Sequence, residues 1–317
     1  MKNRKSLAII MFIPFLLSSC GGFSAESSAE SSSEDNSSSE ISSSGSEEID
    51  NKIQVIICMG QSNMEGFTHS EYLAKTMPEK ADEFATGYPD IRISYKGSNE
   101  IATSKGEYVS VALGQGTGTD RFGPEVGMAE IFHSTKTKHP ICLIKYAYGG
   151  TSLHGPWQSP SSGFTGGLYK SALEYSLGAI KKLEDMDYYP EIEAFCWMQG
   201  EDDSSGQYYD QYYKLEKYLV QDLRKDYAYY GNPNGIAFID AGISDCAAWT
   251  NQKIVNDAKK QLAAEDALHF FFSTIDEGLK YNGEPAGSPD IYHFDSSSMI
   301  KLGNLFAQTI LKNKICV

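Results

Sequence analysis

Residues 53–64 read IQVIICMGQSNM, and this stretch is the strongest predictor of the fold. The apolar run over 53–59 predicts a buried strand, and Gly60 predicts a sharp turn that presents Ser62. Open α/β sheets carry their chemistry at the carboxyl ends of their strands. The stretch therefore predicts a serine at the functional edge of such a sheet, although a serine at this place could also cap a short helix.

Apolar runs of the same kind recur along the chain and alternate with amphipathic helical patterns. Further strands are predicted over 141–147, 192–198, 235–240 and 268–274, and helices over 168–186, 207–227 and 299–311, with weaker helices over 124–134 and 252–264. This alternation predicts an α/β fold, a three-layer αβα sandwich with a central parallel sheet. Residues 67–118 show little periodicity, so we expect loops with short strands there.

The first 20 residues have the composition of an export signal. Lys2, Arg4 and Lys5 precede an apolar run over 7–17, and small residues lead to Cys20. The run is shorter than the roughly 20 residues that a membrane-spanning helix needs. This pattern resembles a bacterial lipoprotein signal, and it predicts an exported chain anchored to the membrane through a lipid on Cys20. In an ordinary cleaved signal, Cys20 would be incidental.

Residues 21–51 are predicted to be a disordered linker. Positions 21–50 contain 13 serines and 8 acidic residues and no basic residue. Such a segment cannot bury enough apolar surface to offset the entropy of ordering it, and its like charges extend it. Residues 52–317 show no repeat and no second linker, so we expect them to form one domain.

Charge and cysteine content narrow the possible partners and bonds. The net charge is −15, and residues 51–317 contain 24 basic and 34 acidic residues, which excludes nucleic acid as a natural partner.

Three cysteines lie in predicted strands and are expected to be buried free thiols, whereas two others could pair. The first set is Cys58, Cys142 and Cys196, and the second is Cys246 and Cys316.

A serine hydroxyl becomes a useful nucleophile only when a base takes its proton. The sequence DIYH at 290–293 supplies His293 with Asp290 three residues before it, in a polar segment ahead of the last predicted helix. We therefore predict a triad of Ser62, His293 and Asp290. His269 also has an aspartate, Asp266, three residues earlier, but it opens an apolar run that is typical of a strand.

Two other predicted strands end in residues that can stabilise a developing negative charge. The strand over 141–147 runs into Gly149 and Gly150, whose backbone N–H groups can approach a ligand closely. The strand over 192–198 runs into Gln199, which offers a side-chain amide. Together with the backbone N–H of Ser62, these groups are the predicted oxyanion donors.

Several neighbouring residues have roles that the sequence leaves open. Glu201 could orient His293 in place of Asp290 or bind a sugar hydroxyl, whereas Asp202 and Asp203 are predicted to be a solvated helix start. The remaining candidates for orientation or substrate binding are Gln61, Asn63, Tyr292, Trp157 and Trp249, the last three because flat aromatic faces suit sugar rings. No metal site is predicted, because no His or Cys stands at ligand spacing with these acids.

Taken in order, these segments resemble the blocks of the SGNH hydrolase superfamily. The match is closest to its sialate O-acetylesterase and acetylxylan esterase branch, which includes carbohydrate esterase family 6. The matching blocks are GQSNM at 60–64, GPE at 123–125, YGGTSL at 148–153, WMQGE at 197–201, and the pair Asp290 and His293. The resemblance covers residues 53–312, and it departs from the wider superfamily in placing Gln199 where an asparagine is usual.

The resemblance implies a serine esterase that works through an acyl-enzyme without metal or cofactor. Its implied substrate is an acetylated oligo- or polysaccharide, with acetylated xylan or a related hemicellulose first and acetylated sialic acid as the alternative. In some relatives the glutamate corresponding to Glu201 is thought to act on the histidine. A hypothesis of another class is a non-catalytic carbohydrate-binding surface lipoprotein, which predicts a damaged triad.

Overall fold

A computed structural model describes residues 51–316, so the predicted signal, Cys20 and nearly all of the predicted linker lie outside the described residues. The strands are β1 (Lys52–Gly60), β2 (Thr68–His69), β3 (Tyr88–Lys96), β4 (Val109–Val111), β5 (Arg121–Phe122), β6 (Ile141–Ala147), β7 (Tyr189–Met198), β8 (Ala237–Ala241) and β9 (His269–Phe272). The helices are α1 (Ser62–Glu65), α2 (Leu73–Thr76), α3 (Ala81–Thr86), α4 (Glu125–Ser134), α5 (Gly167–Asp185), α6 (Glu201–Ser205), α7 (Tyr212–Asp226), α8 (Gln252–Glu265) and α9 (Ser296–Lys312). Short 3-10 turns occupy Ser70–Tyr72, Pro160–Ser162 and Tyr209–Gln211.

Seven strands form one sheet in the order β4-β3-β6-β1-β7-β8-β9. All neighbouring pairs are parallel except β3 and β4 at one edge. In the register, Gly60 at the end of β1 lies opposite Ala147 of β6 and Met198 of β7. The three central strands therefore end side by side, which brings the segments that follow them to one edge of the sheet.

The central strand β1 shows why both faces of the sheet are covered. Every residue from Ile53 to Gly60 is buried, including the side chains that point to opposite faces. A strand buried on both faces requires helices on each side of the sheet. Helix α5 packs on β6 and β7, α8 packs on β9, and α4 and α9 pack on each other. The predicted α/β class is confirmed.

The stretch over 67–118 holds more regular structure than its sequence pattern predicts. It contains the nine-residue strand β3, which pairs with β6 inside the sheet. The prediction of loops with short strands was wrong at this point. Exposed Asp90 and Arg92 interrupt the apolar run, because β3 lies next to the edge and keeps part of its surface in water.

The described cysteines are all buried free thiols, as predicted for Cys58, Cys142 and Cys196. Cys246 and Cys316 are equally buried and free, so they do not form the surface pair that their positions allowed. None of the helices within residues 51–316 combines the length and apolar character needed to cross a bilayer.

Candidate active site

The turn after β1 places Ser62 through a close backbone contact that only glycine allows. Gly60 has φ 147°, and a Cβ on it would lie 2.0 Å from the carbonyl oxygen of Met198. The next N–H, from Gln61, donates to that same oxygen at 2.9 Å. Gln61 is the N-cap of α1 and Ser62 is the first helical residue, so Ser62 is not the cap that its residue type could have made it. Its backbone N–H, at the first helical position, has no partner within the helix.

His293 and Asp290 meet in the loop before α9. The Nδ1 atom of His293 lies 2.6 Å from Oδ2 of Asp290, and the N–H of Tyr292 donates to Oδ1 at 2.8 Å. Burial alone would raise the pKa of Asp290, but these hydrogen bonds hold that pKa below its ordinary value of 3.8. The carboxylate thus stays charged and fixes the imidazole ring, whose face stacks on Phe67 at 4.5 Å between ring centroids.

Ser62 and His293 line one cavity of about 230 Å³ at this edge of the sheet. Asp290 stands behind the histidine ring and not in the cavity wall. The cavity therefore presents a hydroxyl and an imidazole to the same volume, with a carboxylate on the far side of the ring. Its remaining lining residues are Gln61, Phe67, Gly150, Asp202, Trp249 and Tyr292.

His269, the other histidine that follows an aspartate by three residues, is elsewhere. It is buried at the start of β9, and its Nε2 lies 3.5 Å from Asp240, next to the buried Lys259. Asp266 pairs with Arg224 instead. The burial of His269 in the core therefore leaves His293 as the histidine that faces Ser62.

The two glycines after β6 differ in their backbone hydrogen bonds. The N–H of Gly149 donates to Oε2 of Glu65 at 2.7 Å, so it is already used inside the protein. Gly150 lines the cavity with φ 64°, a conformation that favours glycine. Of the two predicted glycine donors, only Gly150 faces the substrate volume.

Gln199 does not have the role in oxyanion binding that its sequence position predicts. Its side chain is fully buried, and its Nε2 donates to Asp203 at 2.6 Å and to the carbonyl of Thr151 at 3.0 Å. Its Oε1 accepts from the hydroxyl of Tyr212 at 3.0 Å. Because both amide hydrogens are committed, Gln199 joins the loop after β6 to α6 and α7 and offers nothing to the cavity.

Glu201 is linked to the histidine loop through Asn63 and has no direct hydrogen bond to His293. Its Oε1 accepts from Nδ2 of Asn63 at 2.8 Å, and Asn63 in turn holds the backbone on both sides of His293. The Nδ2 of Asn63 donates to the carbonyl of Tyr292 at 3.4 Å, and its Oδ1 accepts from the N–H of Phe294 at 3.2 Å. Burial raises the pKa of Glu201, and the hydrogen bond from Asn63 offsets part of that rise.

Two buried carboxylates near the cavity were missed by sequence reasoning. Glu65 accepts from the N–H and the hydroxyl of Ser98, each at 2.6 Å, as well as from Gly149. Asp203 is 2% exposed and accepts from the N–H groups of Leu153 and His154, so the prediction that it is a solvated residue was wrong. These backbone contacts have no local sequence signal, because Ser98 and Gly149 lie 33 and 84 positions from Glu65, and Leu153 and His154 lie 50 and 49 positions from Asp203.

Two of the three aromatic candidates line the cavity, and the third is buried in the protein core. Trp249 and Tyr292 line the cavity with ring centroids 5.5 Å apart, and Tyr292 is 47% exposed. Trp157 is 1% exposed, packs edge-on against Trp197, and donates from Nε1 to Thr151 at 3.0 Å. A sugar cannot reach Trp157, so its predicted role in substrate binding was wrong.

We expect Asn63→Ala to lower kcat by about 10- to 100-fold with little change in KM, because the loop that carries His293 loses the contacts holding its backbone. Steady-state rates on nitrophenyl acetate and a thermal melt measure this. The matched control is Asn304→Ala, which removes amide hydrogen bonds to Gly127 and Glu130. An Asn63→Ala enzyme with normal kcat, or one that loses only stability, contradicts the positioning role.

Residues 52–312 match the family model described as carbohydrate esterase, sialic acid-specific acetylesterase. No curated protein sequence matches the chain.

Similar solved structures include a protein from Arabidopsis thaliana, with a TM-score of 0.58 and 19% identity over 82% of this chain and 98% of that one. The structure of NanS has a TM-score of 0.58 and 16% identity, and the match covers 83% of this chain and 97% of NanS. A carbohydrate acetylesterase from Xanthomonas citri has a TM-score of 0.54 and 15% identity, and the match covers 81% of this chain and 55% of that one. At these identities the structures show a shared fold.

Proposed function

The chain belongs to the carbohydrate esterase family of sialic acid-specific acetylesterases and is a carboxylic ester hydrolase. We propose that it removes O-acetyl groups from a neutral hemicellulose such as xylan. The observation that carries the proposal is the cavity that holds Ser62 and His293 together without any lysine or arginine in its lining. The contact of Asp290 with His293, beside a cavity that Ser62 also lines, supports an enzyme over a non-catalytic binding protein.

In the proposed mechanism, the Ser62 hydroxyl attacks the ester carbonyl while His293 takes its proton. The resulting imidazolium is stabilised by Asp290, which accepts a hydrogen bond from Nδ1. His293 then delivers the proton to the sugar oxygen as its bond to the carbonyl carbon breaks, which leaves Ser62 acetylated. The same ring takes a proton from a water molecule that attacks the acetyl group, and it returns that proton to the Ser62 oxygen as acetate leaves.

The negative charge on the carbonyl oxygen is met by backbone N–H groups. Ser62 at the first position of α1 and Gly150 in the cavity wall are the donors we propose. Glu65 supports this arrangement, because it fixes the neighbouring Gly149. Preorganised donors of this kind are each worth about 3 to 4 kcal/mol of barrier.

The charge of the cavity favours a neutral sugar over a sialic acid. A sialic acid carries a carboxylate, which a site normally binds with arginine or lysine. The lining here includes Asp202 and no cation, and the whole chain has a net charge of −15. Trp249 and Tyr292 offer ring faces to a pyranose, which requires no charge.

We expect kcat/KM for acetylated xylo-oligosaccharides to exceed that for O-acetylated sialic acid by about tenfold or more, because the cavity repels an anion. Acetate release over both substrates measures the ratio. Asp202→Asn should raise the rate on the sialic acid and leave the xylo-oligosaccharide rate unchanged, whereas Asp210→Asn, an exposed aspartate outside the cavity lining, should alter neither. A preference for the sialic acid by the wild-type enzyme would establish the sialate O-acetylesterase alternative.

We propose further that the enzyme is exported and held at the membrane by a lipid on Cys20, with residues 21–51 as a tether. This part rests on the sequence pattern of residues 1–51. Cys20→Ala is expected to move the esterase from the membrane fraction to the soluble fraction. Unchanged membrane association of that variant contradicts the anchor.

A further inference from the structure

A second aromatic groove lies at the opposite edge of the sheet from the active site. It has a volume of about 260 Å³, and we name it the tyrosine groove. It lies beside the first residues of β7, whereas the active site follows the last residues of the same strand. Ten residues of strand separate the two by about 30 Å. The residues that define the groove are Tyr188, Tyr189, Tyr229, Tyr230, Glu184 and Glu191.

The backbone of the groove is held in place. The N–H of Ile192 in β7 donates to the carbonyl of Tyr230 at 2.7 Å, and the N–H of Asn232 donates back to Ile192 at 3.0 Å. The rings of Tyr229 and Tyr230 stand edge to face, with centroids 4.8 Å apart and an angle of 89° between their planes. The two rings therefore form a corner on the protein surface that stands on a hydrogen-bonded backbone.

Two of the four tyrosine rings are open to solvent. Tyr229 is 87% exposed and Tyr189 is 53% exposed, whereas Tyr188 and Tyr230 are half-buried and pack against the core. Single exposed aromatic residues are common, but here two exposed rings stand on two anchored ones around one groove, which leaves aromatic surface available to a ligand.

The two carboxylates of the groove are acceptors that neighbouring residues hold in place. Glu191 accepts from Lys52 at 2.6 Å and from Asn232 at 3.1 Å. The carboxylate of Glu184 lies 3.5 Å from Lys181. Both nearby lysines are thus paired with carboxylates, and no lysine or arginine lines the groove itself. A ligand that fits here offers hydroxyl donors and carbon-bound hydrogens, and no negative charge.

We propose that the tyrosine groove is a non-catalytic binding site for the main chain of a neutral polysaccharide. The groove repeats the combination found in the catalytic cavity, which pairs aromatic rings with a carboxylate and lacks a cation. Pyranose rings stack their C–H faces on tyrosine, and fixed carboxylates accept their hydroxyl hydrogens. The choice of a neutral polysaccharide rests on the proposed function. The site would hold the polymer while the active site works on another part of it.

Binding is measured by electrophoresis of the full chain carrying Ser62→Ala through native gels that contain soluble deacetylated xylan or glucomannan. We expect the polymer to retard this protein, and the further pair Tyr189→Ala and Tyr229→Ala to weaken binding about tenfold or more. The matched control is Phe164→Ala, which removes a 57% exposed ring that lines neither site. Because the tyrosines are exposed, the double variant is expected to fold, and a thermal melt verifies this.

Two results would overturn the proposal: no retardation of the parent protein by either polymer, or equal retardation of the double variant and the control. Capture of a proline-rich peptide instead of the polysaccharide would assign the groove to a protein partner and also overturn the proposal.

With Ser62 restored, the double variant should hydrolyse nitrophenyl acetate normally but show a raised KM on acetylated xylan. Esterase activity without polymer binding rejects the groove alone, and polymer binding without esterase activity rejects the proposed function alone.

Discussion

Ser62→Ala is expected to reduce hydrolysis of acetyl esters by three or more orders of magnitude, because no other hydroxyl takes its place as nucleophile. The loss should appear in kcat on nitrophenyl acetate and in acetate release from acetylated xylan. Stability should hardly change, since Ser62 is not the N-cap of α1 and its removal leaves the turn at Gly60 intact.

A surface serine gives the control for that measurement. Ser134→Ala, at the exposed end of α4, removes the same hydroxyl away from the cavity and should leave the rate unchanged. An unchanged rate in the Ser62→Ala enzyme would remove Ser62 from the chemistry and with it the acyl-enzyme mechanism.

Asp290→Asn is expected to lower kcat by about 10⁴-fold, because an amide in place of the carboxylate favours the wrong imidazole tautomer and cannot stabilise the imidazolium. Glu201→Gln is the matched control. Its amide oxygen can still accept from Asn63, so we expect a loss of less than about tenfold. Steady-state rates of the two variants at one pH decide between them, and the opposite ranking would transfer the orienting role to Glu201.

The lowered pKa of Asp290 gives the Asp290→Asn variant a signature in stability as well as in rate. Hydrogen bonds hold the pKa of Asp290 below its ordinary value of 3.8, so its contribution to stability is present above that value and lost as the pH falls through the lowered pKa. Thermal melts at acid pH should therefore fall less steeply for Asp290→Asn than for the wild type, and equal slopes contradict the pairing with His293.

Local patterns were sufficient for the central strands and for the order of the functional segments. The apolar runs before Gly60, Gly149 and Gln199 became β1, β6 and β7, because an uninterrupted apolar run of strand length that ends at turn residues is typical of a strand buried on both faces of a sheet. The contact between Asp290 and His293 also lies within one short segment, so its spacing alone predicted it. The strand that the sequence pattern did not predict is β3, because the charged residues on its exposed side interrupt the apolar run.

Hydrogen bonds between residues far apart in sequence were not predictable from local patterns. Gln199 and Gly149 stood at the expected places, yet they donate to the carbonyl of Thr151 and to Glu65 inside the protein. Trp157 had the composition of a sugar platform but is packed in the core. Asn63 holds Phe294, a residue 231 positions along the chain.

Local sequence patterns were enough to predict the central strands, the edge at which they end, and the contact between Asp290 and His293. Only the packing of distant segments shows that Gly150 lines the cavity while Gly149 is used internally, and that the cavity lining contains no lysine or arginine. The difference is one of range along the chain. Periodicity and turn chemistry act within a few residues, whereas a hydrogen bond partner or a neighbouring charge is chosen by the packing of segments that the chain has brought together.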